Sequence, residues 1–209
     1  MTRKTGPDER RIAEAATWRL LGLLLERPRV GWHAEVAALA REVADPVLRA
    51  AAEAAQAATE GEYLHFVGPG GVASPRVVAY GGFQDPGRVL AEIAEFYKAF
   101  AFQPRAEDPI DHVAVAAGFV GYLALKEAFA AASGNKAAAT MTAEARQRFV
   151  ETYLAMMVHP MAERLALAGP SYLVDVAQAL AARVPAPAHP TVLAADDDLP
   201  AECGACPVG

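Results

Sequence analysis

The amino-acid sequence predicts an all-α fold, a single globular bundle of about seven to nine helices. Alanine is abundant in the 209 residues and β-branched residues are scattered, so intrinsic propensity favours helix. Hydrophobic residues make up 54% of the chain and charged residues 21%, which is typical of a globular protein with a buried core. Apolar residues recur at helical spacing, and no segment alternates apolar and polar residues as a half-buried strand does.

The first helix is predicted to follow Asp8, which we expect to be its N-cap, and to end by Pro28. Its apolar face is formed by residues at helical spacing, namely Ile12, Ala16, Leu20, Leu23 and Leu24. A second helix is expected from about His33 to Val43.

Three Asp-Pro pairs predict three further helix starts, because aspartate is a preferred N-cap and proline suits the first helical position. The pairs are Asp45-Pro46, Asp85-Pro86 and Asp108-Pro109. They predict helices over about 46–59, with an extension to Phe66 left open, and over 86–100 and 109–132. Thr142 is expected to cap another helix to about Met157, where His159-Pro160 interrupts it, and a last helix is predicted over 171–183.

Two segments do not follow the helical pattern. Gly68 to Gly87 is rich in glycine and proline, and a loop of this length in a helical domain is usually functional or mobile. The tail over 185–209 contains several prolines and an acidic run, which predicts disorder. We therefore expect a helical domain over 1–184 followed by a flexible acidic tail.

Charge and composition exclude some classes of partner. The net charge of −6 argues against nucleic acid, which needs a basic binding face. The longest uncharged run, Val113 to Leu125, is shorter than the roughly 20 residues that cross a bilayer, so no membrane insertion is expected. With two cysteines and no apolar leader after the charged N-terminus, a cytoplasmic protein without a disulfide framework is predicted.

The stretch Asp108-Pro109-Ile110-Asp111-His112 has two interpretations. With Asp108 as N-cap, Asp111 falls at the third helical position, where a carboxylate bonds back to the cap and meets the positive helix end. Alternatively, Asp111 and His112 are the acid–base pair of a small hydrolase, which requires a deep pocket and a group that polarises the substrate.

The tail carries a single pair of thiols, Cys203 and Cys206. A structural zinc site takes four ligands, and beyond these two thiolates only His189 lies nearby. A thiol-based metal carrier is therefore kept as an alternative function, although no cofactor is predicted.

Two motifs resemble those of the TorD/DmsD/NarJ redox-enzyme maturation chaperones. Phe66-Val67-Gly68-Pro69-Gly70, followed by Ser74-Pro75 and Tyr80, is similar to that family's Phe-x-Gly-Pro-Gly loop. Asp108-Pro109-Ile110-Asp111-His112 is similar to its acidic-Pro-x-Asp-His motif, which also precedes a long apolar helix. The order of the motifs and the helical pattern agree over residues 10–183.

The resemblance implies a cytoplasmic, non-enzymatic chaperone that binds the N-terminal segment of a molybdenum-cofactor oxidoreductase catalytic subunit, the client, as a monomer or dimer. It also implies the client-binding residues, which are Phe66, Gly68, Pro69, Gly70, Pro75, Tyr80, Asp108, Pro109, Asp111 and His112. The chain departs from the family pattern at Ala116 and Gly118, where an acidic residue is common, and over residues 76–78. A twin-arginine signal peptide and a client segment that is not an export signal both remain open.

Overall fold

The computed structural model describes residues 6–105 and 108–186, and α-helices dominate them. The helices are α1 Pro7–Leu24, α2 Trp32–Ala40, α3 Pro46–Ala54, α4 Glu60–Val67, α5 Pro86–Ala99, α6 Val113–Ala132, α7 Lys136–Phe149, α8 Ala155–Ala168 and α9 Ser171–Ala181. Within these residues the only β-type pairing is an isolated antiparallel bridge between Arg76 and His112. The prediction of an all-α bundle is confirmed.

Helix α6 forms the centre of the fold, with α1 and α7 packed against it. Its 20 residues are long enough and, at a mean hydropathy of 1.5, apolar enough to cross a bilayer by length and composition. The 113–125 run considered above is thus only part of a longer apolar helix. Most of this helix is buried under its neighbours, so its composition is that of a core helix.

Glycines allow α1 and α6 to cross in close contact. A Cβ atom at Gly22 would lie 2.9 Å from the carbonyl oxygen of Ala114. A Cβ atom at Gly121 would lie 3.2 Å from the carbonyl oxygen of Ala15. Because a larger residue would force the backbones apart, these two glycines fix the distance between the helices.

Two of the three Asp-Pro predictions are confirmed. The side chain of Asp45 accepts hydrogen bonds from the first turn of α3, and that of Asp85 accepts one from the first turn of α5. The third prediction is wrong. The long apolar helix begins at Val113 with His112 as its N-cap, so Asp108 does not cap it and Asp111 is not in its first turn.

Other predicted boundaries also differ. Helix α1 begins at Pro7 with Gly6 at the N-cap position instead of Asp8. The expected helix over 46–59 ends in a 3-10 turn, Ala55–Ala57, and Thr59 then caps α4 as a separate helix.

Thr142 is not a cap, because Asn135 caps α7 and the buried Thr142 hydroxyl donates to the carbonyl oxygen of Ala138 within that helix. His159-Pro160 does not interrupt α8, since the proline ring is buried in the core and packing outweighs the lost backbone hydrogen bond. Instead, a π-helix, Val150–Leu154, joins α7 to α8.

The glycine- and proline-rich loop contains more structure than its composition predicts. A 3-10 turn, Val77–Tyr80, lies in its middle, and Ala73, Val77 and Tyr80 are buried. The loop is thus fastened to the core at its centre. Residues from 187 onward, including His189, Cys203 and Cys206, lie outside the described residues, and so do the predicted disorder and thiol chemistry of the tail.

Candidate functional site

The two motifs recognised in the sequence lie against each other. The bridge between Arg76 and His112 joins the glycine- and proline-rich loop to the segment that precedes α6. Two backbone hydrogen bonds flank it, from the Val77 amide to the Asp111 carbonyl (3.0 Å) and from the Val113 amide to the Pro75 carbonyl (2.8 Å). The start of the central helix is therefore held in place by the loop.

Asp111 is fully buried and forms an ion pair with the Nε atom of Arg76. Its second carboxylate oxygen accepts a hydrogen bond from the backbone amide of Val78, 3.3 Å away. The Arg76 side chain is 36% exposed, so one end of the pair reaches solvent while the carboxylate does not. This arrangement neutralises a charge that would otherwise be costly to bury.

His112 is 5% exposed and both of its ring nitrogens are engaged. Nδ1 accepts a hydrogen bond from the Ala114 amide (3.1 Å) and so caps α6. Nε2 lies 3.2 Å from the hydroxyl oxygen of Tyr63, which donates its own proton to the Leu25 carbonyl (2.9 Å). Since Nδ1 accepts, the network assigns the proton to Nε2, which donates to Tyr63.

Burial is the main cause that lowers the pKa of His112, and the nearby Arg76 charge acts in the same direction, against the carboxylates of Asp108 and Asp111. Burial likewise raises the pKa of the Tyr63 hydroxyl far above its ordinary value. The neutral imidazole that caps α6 is thus the favoured form. The polar atoms of Asp111 and His112 thus hold three segments of the chain together.

The predicted binding residues lie at different depths. Tyr80 is buried, and its hydroxyl donates to the Ser74 carbonyl at 2.9 Å. The predicted binding residues that are at least partly exposed are Phe66, Gly68, Pro69, Gly70, Pro75, Asp108 and Pro109. With Asp111 and His112 buried, the polar group of the acidic motif that reaches the surface is the carboxylate of Asp108.

A groove with a volume of about 510 Å³ runs between α1 and α6, and the segment 102–105 forms one wall. Its lining includes Ala16, Phe102, Gly118, Tyr122 and Leu125. Of the predicted binding residues within the described part of the chain, Asp108 is the one that lines this groove. Sequence reasoning missed the groove itself.

The apolar surface of the groove continues along α6 beyond the cavity. Val115, Gly118, Tyr122, Leu125 and Phe129 follow each other at intervals of three and four residues, which places them on one face of the helix. Leu125 is 53% exposed and Phe129 more so. Exposed apolar side chains that form one continuous surface usually mark a site of interaction.

The wall opposite α1 is held in a fixed position. The Tyr122 hydroxyl and the Lys126 ammonium both donate to the Phe100 carbonyl, at 2.9 and 3.2 Å. The rings of Phe102 and Tyr122 pack with centroids 5.3 Å apart. Ala101, between Phe100 and Phe102 in the chain, adopts a left-handed conformation (φ 55°) in the turn that follows α5. These contacts preform the groove.

Charged groups gather at the Asp108 end of the groove. Glu26 pairs with Arg19 (3.2 Å) and Arg105 (3.5 Å), and Glu35 pairs with Arg29 (2.9 Å). The hydrogen bond from Arg29 is the main cause that lowers the pKa of Glu35. Asp108 differs, because it has neither a hydrogen bond nor a salt bridge to any residue in the described part of the chain.

Comparison with known families agrees with the motifs. The sequence profile of the family described as "Nitrate reductase delta subunit" matches residues 31–163, more than half of the chain. No curated protein matches the sequence. The matched region contains both motifs and α2 to α7, which includes the central helix and its cap. The chain belongs to the nitrate reductase delta subunit family, the NarJ/TorD-type chaperones that assist the maturation of molybdoenzymes.

Proposed function

We propose that this chain binds the N-terminal segment of a molybdoenzyme catalytic subunit in the groove between α1 and α6. It acts in the cytoplasm and holds this segment until the cofactor is inserted and the subunit has folded. The observation that carries the proposal is a preformed apolar groove whose end presents a carboxylate with no described partner. The family relationship supplies the kind of partner.

The groove suits a client segment with an apolar run beside a basic residue. The apolar face from Val115 to Phe129 extends over roughly 20 Å, given a rise of 1.5 Å per helical residue. Burying one large aliphatic or aromatic side chain there contributes about 1.5–3 kcal/mol. Asp108 supplies a charged contact for one basic side chain at the end of this run.

One basic residue is enough for this arrangement. In the part of the chain that the structure describes, the other acidic groups at this end of the groove, Glu26 and Glu35, are already paired with arginines. A twin-arginine pair would have to displace those arginines in order to engage both carboxylates. The charges therefore favour a client segment recognised by its apolar run, whether or not it is an export signal.

The remaining motif residues take two roles in this proposal. Asp111, His112 and Tyr80 are buried and hold the loop against α6, which positions Asp108 at the end of the groove. A second contact surface for the same client is assigned to the exposed or half-exposed loop residues and Pro109. These loop residues are Phe66, Gly68, Pro69, Gly70 and Pro75.

Leu125→Asp is expected to weaken binding of the client peptide by roughly tenfold or more, because a charge would be placed against an apolar partner. The measurement is isothermal titration of the purified chain with a synthetic peptide of the client's N-terminal segment. Leu167→Asp is the matched control, since Leu167 is 86% exposed at the end of α8 and does not line the groove.

Equal affinities for the Leu125→Asp variant and the wild-type chain would contradict the proposal. Equal losses in the Leu125→Asp and Leu167→Asp variants would contradict it as well, because the effect would then not be specific to the groove. Circular dichroism of each variant verifies that the helical content is unchanged.

Asp108→Ala is expected to leave the free energy of unfolding within about 0.5 kcal/mol of wild type, because Asp108 caps no helix. Client affinity is expected to fall by about two- to fivefold, and the loss should shrink at high salt. Asp85→Ala is the complementary control, because it removes a helix cap at a cost of about 1 kcal/mol but lies outside the groove. A large loss of stability in Asp108→Ala with unchanged client affinity would contradict the proposed role, because Asp108 would then stabilise the fold and not contact the client.

A further inference from the structure

Gly118 lies in the interior of α6, at the sixth of its 20 residues, where glycine is a poor choice for the helix. Glycine loses more backbone freedom on folding than alanine does, so it destabilises the interior of a helix. A glycine at such a position therefore requires a reason in the packing around it or in the function of the surface that it forms.

Packing explains the two other glycines of this helix pair. A Cβ atom at Gly22 or at Gly121 would lie 2.9 or 3.2 Å from a backbone oxygen of the opposite helix. At Gly118 an added Cβ atom would have no neighbour within 4 Å. Gly118 is also helical in conformation, since it is not among the glycines with positive φ. Neither close packing nor backbone conformation accounts for it.

The open space at Gly118 belongs to the groove. Gly118 is one of the lining residues, between Val115 and Tyr122 on the exposed apolar face. The rings of Phe102 and Tyr122 stand beside it as a fixed wall. The missing side chain thus leaves a hollow in the groove floor, bordered by aromatic rings.

We propose that Gly118 determines which client segments bind, because the hollow that it leaves receives one bulky apolar side chain of the client. This inference rests on the function proposed above and adds to it a residue that selects the size of the client side chain. An alanine or a polar residue at that client position would leave the hollow unfilled, whereas a leucine, methionine or phenylalanine would bury most of its surface against the two rings.

The test is a pair of substitutions that fill the hollow by degrees, Gly118→Ala and Gly118→Leu. Gly118→Ala is expected to stabilise the chain, lowering the unfolding equilibrium constant by about two- to fivefold, because alanine is the better helix residue and has room here. Both variants are expected to bind the client's N-terminal peptide more weakly, with a loss of about tenfold or more for Gly118→Leu. Gly22→Ala is the control, and it is expected to destabilise the chain because its Cβ atom meets the Ala114 carbonyl.

A complementary change in the peptide identifies the side chain that enters the hollow. Each bulky apolar residue of the peptide is replaced by alanine in turn. At one position the replacement should weaken binding to the wild-type chain but not to the Gly118→Leu variant, where the hollow is already filled.

The outcomes separate this inference from the proposed function. If Leu125→Asp abolishes binding while the Gly118 variants bind as wild type does, the groove is the site and the role of Gly118 is wrong. If neither Leu125→Asp nor Gly118→Leu affects binding, the groove itself is not the site and both proposals fail. If Gly118→Leu does not fold, Gly118→Ala decides the question, since more stable protein with unchanged affinity overturns the inference.

Discussion

Replacing Asp111 with alanine is expected to lower the free energy of unfolding by about 3 kcal/mol, the low end of the range for removing one partner of a buried ion pair. The substitution leaves the Arg76 guanidinium without its counter-charge and the Val78 amide without its acceptor. The cost lies at the low end because the Arg76 side chain is partly exposed and is able to turn toward water.

Urea denaturation measures this loss, and Asp85→Ala is the matched control. Asp85 is an exposed aspartate whose role is to cap α5, so its replacement is expected to cost only about 1 kcal/mol. If Asp111→Ala costs no more than Asp85→Ala, the buried pair does not stabilise the fold as described. A double-mutant cycle of Asp111→Ala and Arg76→Ala measures the contribution of the ion pair to stability separately from that of the contact with Val78.

The chain is expected to lose stability as the pH falls below 6.5, the ordinary pKa of histidine, because His112 must be neutral to cap α6. Burial lowers the folded-state pKa of His112 below that value. Between 6.5 and this lowered pKa, the unfolded chain binds the proton and the folded chain does not. Stability from His112 is therefore fully present above pH 6.5 and is lost as the pH decreases through that window.

His112→Asn isolates this effect, because asparagine is a good N-cap but does not titrate. Unfolding free energies measured from about pH 7.5 to pH 5 should fall less steeply for this variant than for wild type. The other four histidines, His33, His65, His159 and His189, are present in both proteins, so their contribution cancels. Identical slopes would contradict the role of His112.

His112→Ala also removes the cap and the hydrogen bond to Tyr63, so it is expected to cost about 2 kcal/mol at pH 7.5.

Much of the helical architecture was predictable because its signals are local. Asp45 and Asp85 lie next to the amides that they cap, and proline fixes the first helical residue, so the sequence specifies these helix starts directly. The same pattern at Asp108 failed for a tertiary reason. The Ile110 carbonyl accepts a hydrogen bond from the Tyr97 hydroxyl, and the backbone around Asp111 pairs with the loop. Those contacts delay the helix until His112, a residue with weak capping preference.

The candidate site was predictable only in part, and for a physical reason. The motif residues were found, but Asp111 and His112 have partners 35 and 49 positions away, Arg76 and Tyr63, which no local pattern identifies. Helix α6 is apolar on nearly every side, so its sequence does not indicate which face lacks a neighbour. The groove is visible only after α1 and the segment 102–105 have been placed beside that helix.

The contacts between Arg76, Tyr63 and the residues before α6 also affect the order in which the molecule assembles. Contacts so distant in sequence close after local helices have formed, because the entropy of closing the intervening chain must be overcome first. On the ribosome, α1 to α5 emerge before residue 112, and the carboxylate of Asp111 and the cap of α6 are then still missing. A nascent chain therefore lacks the floor of the groove, which α6 provides. Under the proposed function, a client has no complete groove to bind at that stage, so its early capture needs no separate control.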